Sequence, residues 1–218
     1  MTCINRDDMK ILNSELTLRS EDEMMIQAGI VPWIERLDTL ADGLSHTPLL
    51  VNFLQVLTLL GTTIGVIILT TLAIAGLWFW SRKRESVVLA LAILTSWQLV
   101  RNLKILIARP RPSGEWLTFA TGFSFPSGHA MMCTVLFGFL IYLILVEVKH
   151  PIWRIGGSLL LTLLILLIGF SRIYLGVHYI SDVLAGFLLG LICLGIFILI
   201  LKALKRWETG MKADTNER

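Results

Sequence analysis

Five stretches of this chain, at about 52–80, 86–107, 129–148, 153–171 and 181–202, run for about twenty residues or more with few charges. As α-helix, a run of that length covers the hydrocarbon thickness of a bilayer, roughly 30 Å. A soluble domain would break its apolar residues into a short period instead. The composition agrees: 55% of the 218 residues are hydrophobic and 16% charged, with a mean hydropathy of +0.75. The expectation is an all-α, polytopic transmembrane helix bundle of about five spans, preceded by an N-terminal amphipathic interfacial helix. Residues 51–203 form its core, 1–50 an acidic N-terminal segment and 204–218 a tail.

The first fifty residues hold nine acidic and four basic side chains. Ser20 and Glu23 have capping-box spacing. Ile30, Trp33, Ile34, Leu37, Leu40, Ala41 and Leu44 then recur at helical spacing with charges between them. That pattern suits a helix lying in the membrane interface, and equally an ordinary packed amphipathic helix. Residues 1–23 are polar and lack the apolar core of a signal peptide. Of three cysteines, Cys133 and Cys193 lie inside apolar runs, read as small hydrophobes, and no metal-ligand spacing occurs.

The formal net charge is only +3, and the basic residues stand beside the apolar runs. This is membrane topology and not a nucleic-acid surface. With five spans, Arg82, Lys83 and Arg84, then Lys149 and Arg154, then Lys202, Lys205 and Arg206 fall on one side. The positive-inside rule makes that side cytoplasmic, with the C-terminus. Trp78, Trp80, Trp153 and Trp207 mark the same boundary. The opposite side nonetheless carries Arg101, Lys104, Arg109, Arg111 and Arg172. A charge at a membrane boundary is costly unless it snorkels or meets a partner, so each of these needs a local reason. A phosphate dianion suits guanidinium and ammonium groups of this kind.

Two polar islands flank that same side. In Pro126-Ser127-Gly128-His129 the proline ends the preceding segment, so a helix starts at Ser127 or Gly128. A helix start exposes free N–H groups and the positive end of the macrodipole, which can cradle a phosphate. Simple capping by Ser127, with His129 at the interface, is the alternative. In the stretch from Ser171 to Asp182, His178 and Asp182 are four residues apart and share one helical face if a helix begins near His178. The carboxylate then accepts from Nδ1–H and leaves Nε2 free as a nucleophile or base.

Lys104 with Arg111-Pro112, then Pro126 to His129, then Ser171-Arg172 with His178 and Asp182 resemble the three signatures of the type 2 phosphatidic acid phosphatase superfamily. The order and spacing match over residues 104–182. The resemblance is to its bacterial membrane branch, related to phosphatidylglycerophosphatase B and undecaprenyl diphosphate phosphatases; vanadium haloperoxidases share the motifs but are soluble. The resemblance implies metal-free phosphoryl transfer without a cofactor. His178 is then the nucleophile, Asp182 orients it, and His129 is the general acid and base. Lys104, Arg111, Ser127, Gly128 and Arg172 hold the phosphate. The branch usually has six spans, and residues 1–50 lack a run long enough to supply the first.

The implied substrate is a lipid phosphate or diphosphate (phosphatidate, phosphatidylglycerophosphate or undecaprenyl diphosphate) at the outer face of the plasma membrane. Other membrane lipids are the remaining partners, and no obligate protein partner is implied. A lipid phosphotransferase would use the same residues with an alcohol in place of water. A lipid-binding or transport protein with a degenerate site is the non-enzymatic alternative. Gly186 and Gly190 are expected to pack inside the bundle rather than form a dimer face. Trp116 and the phenylalanines from Phe119 to Phe125 could line a lipid access route.

Overall fold

The computed structural model describes residues 47–216 and Asp38, with side chains as far as Trp207. The expected interfacial helix over 30–44 lies outside these residues. Every regular element among the described residues is helical: α1 (Pro48–Thr58), a 3-10 turn (Leu59–Gly61), α2 (Thr63–Phe79), α3 (Lys83–Ile107), α4 (Gly128–Glu147), α5 (Pro151–Tyr174) and α6 (Ile180–Asn216). Of these, α3, α4, α5 and residues Ile180–Trp207 of α6 are each long and apolar enough to cross a membrane.

The first apolar stretch is where the structure departs from a simple run. It is two helices bent by 55° about the turn at Leu59–Gly61. Thr62 leaves the helical region, and its hydroxyl caps the new helix by accepting from the Gly65 N–H at 3.1 Å. Hydropathy is insensitive to such a break, because the residues on both sides of it are apolar. The break lets α1 lie against α5, where Leu54 packs with Tyr174 and Leu175.

Helix α4 is the hub and contacts α3, α5 and α6. Its Met131, Val135, Leu136 and Phe139 have no exposed surface. Helix α5, by contrast, turns Leu159, Leu160, Leu163 and Leu166 outward, as a lipid-facing helix does. Gly186 and Gly190 of α6 face α4. A Cβ at Gly186 would lie 2.7 Å from the Ser127 carbonyl, and one at Gly190 would lie 2.7 Å from the Thr134 Cβ. The small-residue pair therefore serves packing within the bundle. Cys133 and Cys193 are buried and free.

At one end of the bundle, Arg82 forms a bidentate ion pair with Glu147, and Lys205 reaches Glu85 at 2.7 Å. These contacts gather the start of α3, the end of α4 and the late part of α6. The loop 108–127, the start of α4 and the α5–α6 turn meet at the other end.

Candidate active site

The α5–α6 turn presents His178. Gly176 makes the turn possible: its φ is +71°, and a Cβ there would lie 2.9 Å from the Glu115 carbonyl. Helix α6 begins two residues after His178, so Asp182 sits in its first turn. His178 Nδ1 is 3.3 Å from Asp182 Oδ2, and His178 and Asp182 are both buried. With the proton on Nδ1, the lone pair of Nε2 faces the Arg111 guanidinium at 3.3 Å. Burial pushes the His178 imidazole down from 6.5 to about 4; the Asp182 hydrogen bond opposes this, and the charges of Arg111 and Lys104 add to it. The ring is therefore neutral near pH 7, as a nucleophile or base must be.

Two residues outside the expected set hold Asp182 in place. Ser124, fully buried on the long loop, donates its hydroxyl to Asp182 Oδ2 and lies 3.3 Å from His178 Nδ1. Arg109 donates to Asp182 Oδ1 at 2.7 Å and to the Ser181 hydroxyl at 2.7 Å, with its guanidinium 4.0 Å from the centre of the Tyr179 ring. The sequence marks Arg109 as a misplaced cation needing a reason, and Asp182 is that reason. Nothing local marks Ser124.

Arg111 stitches the two loops together. It donates to the carbonyls of Gly122 and Thr121 on its own loop and to the Val177 carbonyl across the gap, at 2.7–2.9 Å. Burial pulls its guanidinium below its ordinary value, with the Asp182 charge opposing. Lys104, near the end of α3, donates to the carbonyls of Phe123 and Ser124. Arg172, in the last turn of α5, is 4% exposed and donates from Nη1 to the Thr58 hydroxyl at 3.0 Å. Thr58 ends α1, so the bent segment reaches the site. Gly61 reaches it too: a Cβ there would lie 2.8 Å from His129 Cδ2. Neither Thr58 nor Gly61 carries a signal readable along the chain.

Ser127 stands at the N-cap of α4, yet its side chain makes no capping bond. Its backbone N–H donates to the Asp182 carbonyl at 3.0 Å. Three buried polar atoms around this point have no hydrogen-bond partner among the described residues: Ser127 Oγ, His129 Nε2 and Arg172 Nε. Orphaned buried donors and acceptors each cost about 1–3 kcal/mol, so their grouping suits water or a polar ligand. Simple capping by Ser127 does not describe what the side chain does.

His178, His129, Gly128, Lys104, Arg111 and Arg172 all line one cavity of about 870 Å³. From that polar head the cavity continues between α2 and α3 along Val66, Ile67, Ile93, Leu94 and Trp97. Phe119 and Phe123 also line it, whereas Trp116 donates its indole N–H to the Pro112 carbonyl outside it. All eight expected site residues thus converge at one end of the bundle. Six of them line its polar head; Ser127 and Asp182 are fully buried and do not line the cavity.

A cationic head on an apolar slot within a helical membrane bundle suits an amphiphile with an anionic headgroup. Sequence comparison places the chain more narrowly. A family model described as the PAP2 superfamily matches residues 85–206, and the chain belongs to that superfamily. It is 29% identical over 184 residues to phosphatidylglycerophosphatase B of Bacillus subtilis, covering 80% of each chain. Among solved structures it resembles the PAP2-type phosphatidylglycerolphosphate phosphatase of Bacillus subtilis, with a TM-score of 0.70 and 28% identity over 84% of this chain and 90% of that one. LpxE of Aquifex aeolicus superposes with a TM-score of 0.59 and 28% identity over 77% and 93%. The protein is a PAP2-type, multi-span membrane lipid phosphatase.

Proposed function

We propose that this enzyme hydrolyses a lipid phosphate or diphosphate through a phosphohistidine, at the extracytoplasmic face of the cell membrane. The observation that carries the reading is the set of unpartnered atoms on Ser127, His129 and Arg172 near His178, whose Nε2 faces the Arg111 guanidinium, at the head of an apolar slot. In the first step Nε2 attacks phosphorus, and the bond to the lipid oxygen breaks. His129 gives that oxygen its proton, so the lipid leaves as an alcohol or a monophosphate. Asp182 accepts from Nδ1–H and balances the positive charge on the ring. In the second step His129 takes a proton from water, the water oxygen attacks phosphorus, and the N–P bond breaks to return His178 and inorganic phosphate.

Phosphoryl transfer spreads negative charge over three equatorial oxygens, so fixed donors supply most of the stabilisation. Arg172, Lys104 and Arg111 offer positive charge, and Ser127 with the first N–H groups of α4 offers neutral donors. No step in this scheme calls on a metal ion. The slot between α2 and α3 accounts for the lipid: the tail lies among Val66, Ile67, Ile93 and Leu94 while the phosphate stays in the polar head. Phosphatidate, phosphatidylglycerophosphate and undecaprenyl diphosphate all fit that description.

The test is phosphate release by the purified full chain in detergent micelles, over these three substrates, with excess EDTA. Turnover of at least one is expected under EDTA. Activity that appears only on adding a divalent cation would overturn the metal-free scheme.

A further inference from the structure

Of the five cations on the site side of the chain, four have a place. Arg109 meets Asp182, and Lys104, Arg111 and Arg172 surround the polar head. Arg101 is left over. It lies on α3 one turn before Lys104, about 4.5 Å further along the helix from the site end. It lines the same cavity. No carboxylate pairs with it among the described residues; its guanidinium instead lies 5.7 Å from the centre of the Trp97 ring. Trp97 is also part of the cavity wall, one further turn along α3. Arg101 therefore stands at the junction where the polar head gives way to the apolar slot.

A cation inside a span is costly without an anion, and a guanidinium over an aromatic face keeps its donors free at the edges. A lipid bearing one phosphate fills the head with that phosphate and sends a neutral ester or prenyl chain past Arg101. A lipid with a second phosphate between the reacting one and the tail sets an anion at the junction. We infer that Arg101 is a binding residue for this second phosphate, so that the preferred substrate class is a lipid with two phosphates in series. The inner phosphate of a prenyl diphosphate and the phosphodiester of a glycerophosphate-bearing phospholipid share that chemistry. This inference rests on the lipid phosphatase reading above.

The experiment compares the full-length protein with Arg101→Gln and Arg101→Lys on two matched pairs in mixed micelles. One pair is a prenyl monophosphate and the prenyl diphosphate of the same chain length. The other is phosphatidate and phosphatidylglycerophosphate with the same acyl chains. For Arg101→Gln, kcat/KM on a two-phosphate member should fall about tenfold or more, the scale of a lost charge-assisted hydrogen bond, while its one-phosphate counterpart stays within about twofold. Arg101→Lys should recover part of the loss. A selective fall in the first pair alone assigns the diphosphate, and one in the second pair alone assigns the phosphodiester. Equal loss on both members of each pair, or no loss on any, overturns the inference and leaves Arg101 as a packing or snorkelling side chain. Retained one-phosphate turnover shows that the variant is folded. Wild-type protein inert on all four lipids would instead overturn the phosphatase reading itself.

Discussion

Asp182 has no exposed surface, and its two oxygens are gripped from different elements, Oδ1 by Arg109 and Oδ2 by Ser124, the His178 ring and the Tyr179 N–H. Arg109 neutralises part of the charge that would otherwise stabilise an imidazolium at His178. Replacing it by Gln leaves the carboxylate more negative towards the ring and raises the His178 pKa from its value of about 4. The acid limb of the kcat/KM profile should therefore move to higher pH, by roughly one unit. A pH titration of Arg109→Gln and wild type on one substrate measures this, since substrate ionisation is common to both, and an unmoved limb contradicts it. His178→Ala, by contrast, should lower kcat at least about 10³-fold at every pH, because the proposed phosphohistidine route has no substitute for its nucleophile. At this scale the sequence is informative where chemistry and local spacing coincide. His178 and Asp182 are legible as an i,i+4 pair, and Ser127 to His129 as a helix start. Ser124 and Thr58 are not, because an ordinary serine and threonine acquire their role only from the loop or helix end that carries them to Asp182 and Arg172.

The bend at Leu59–Gly61 links the membrane bundle to the site. Its two consequences are separable. Thr58 fixes the buried guanidinium of Arg172, and Gly61 leaves room for His129. Thr58→Val removes one acceptor while keeping the shape, so the Arg172 fork should wander. The expected result is a rise in KM and a fall in kcat of about tenfold together in kcat/KM, with Thr58→Ser restoring most of it. Rescue by serine separates the hydrogen bond from the packing, and unaltered kinetics in the valine variant contradict the role. Gly190 belongs to packing alone. Gly190→Val places methyl groups against Thr134 and the Met131 carbonyl, which should destabilise the α4–α6 contact by about 1–3 kcal/mol. Thermal unfolding in detergent reads this as a lower Tm. Helices α3 to α6 are visible in the hydropathy because each is a long run with polar breaks. The α1–α2 bend is not, since Leu59, Leu60 and Gly61 break the backbone direction without interrupting the apolar character.

The whole molecule has two chemically unlike ends. The site end concentrates Lys104, Arg109, Arg111 and Arg172, each engaged by a carbonyl, a hydroxyl or a carboxylate. The other end carries Arg82, Lys83 and Arg84, Lys149 and Arg154, and Lys202, Lys205 and Arg206 beside exposed Trp78, Trp80, Trp153 and Trp207. The basic residues outnumber those at the site end, and they stand in short loops or within a few residues of span ends, where the positive-inside rule counts them. Tryptophans at that boundary suit a headgroup belt, and Lys83 over the Trp78 ring at 5.2 Å suits the same layer. The expected orientation therefore puts the Arg82 end and the C-terminus in the cytoplasm and the cavity head outside. In the proposed orientation a lipid tail would enter the α2–α3 slot from the outer leaflet, with its phosphate in the polar head. Ser113, exposed on the long loop, offers a direct measurement: a cysteine placed there should react with a membrane-impermeant thiol reagent added to intact cells. A reporter fused after Arg218 should read as cytoplasmic in the same cells. Labelling of Ser113→Cys only after the cells are broken, together with an external reporter signal, would invert the orientation and move the proposed hydrolysis to the inner leaflet.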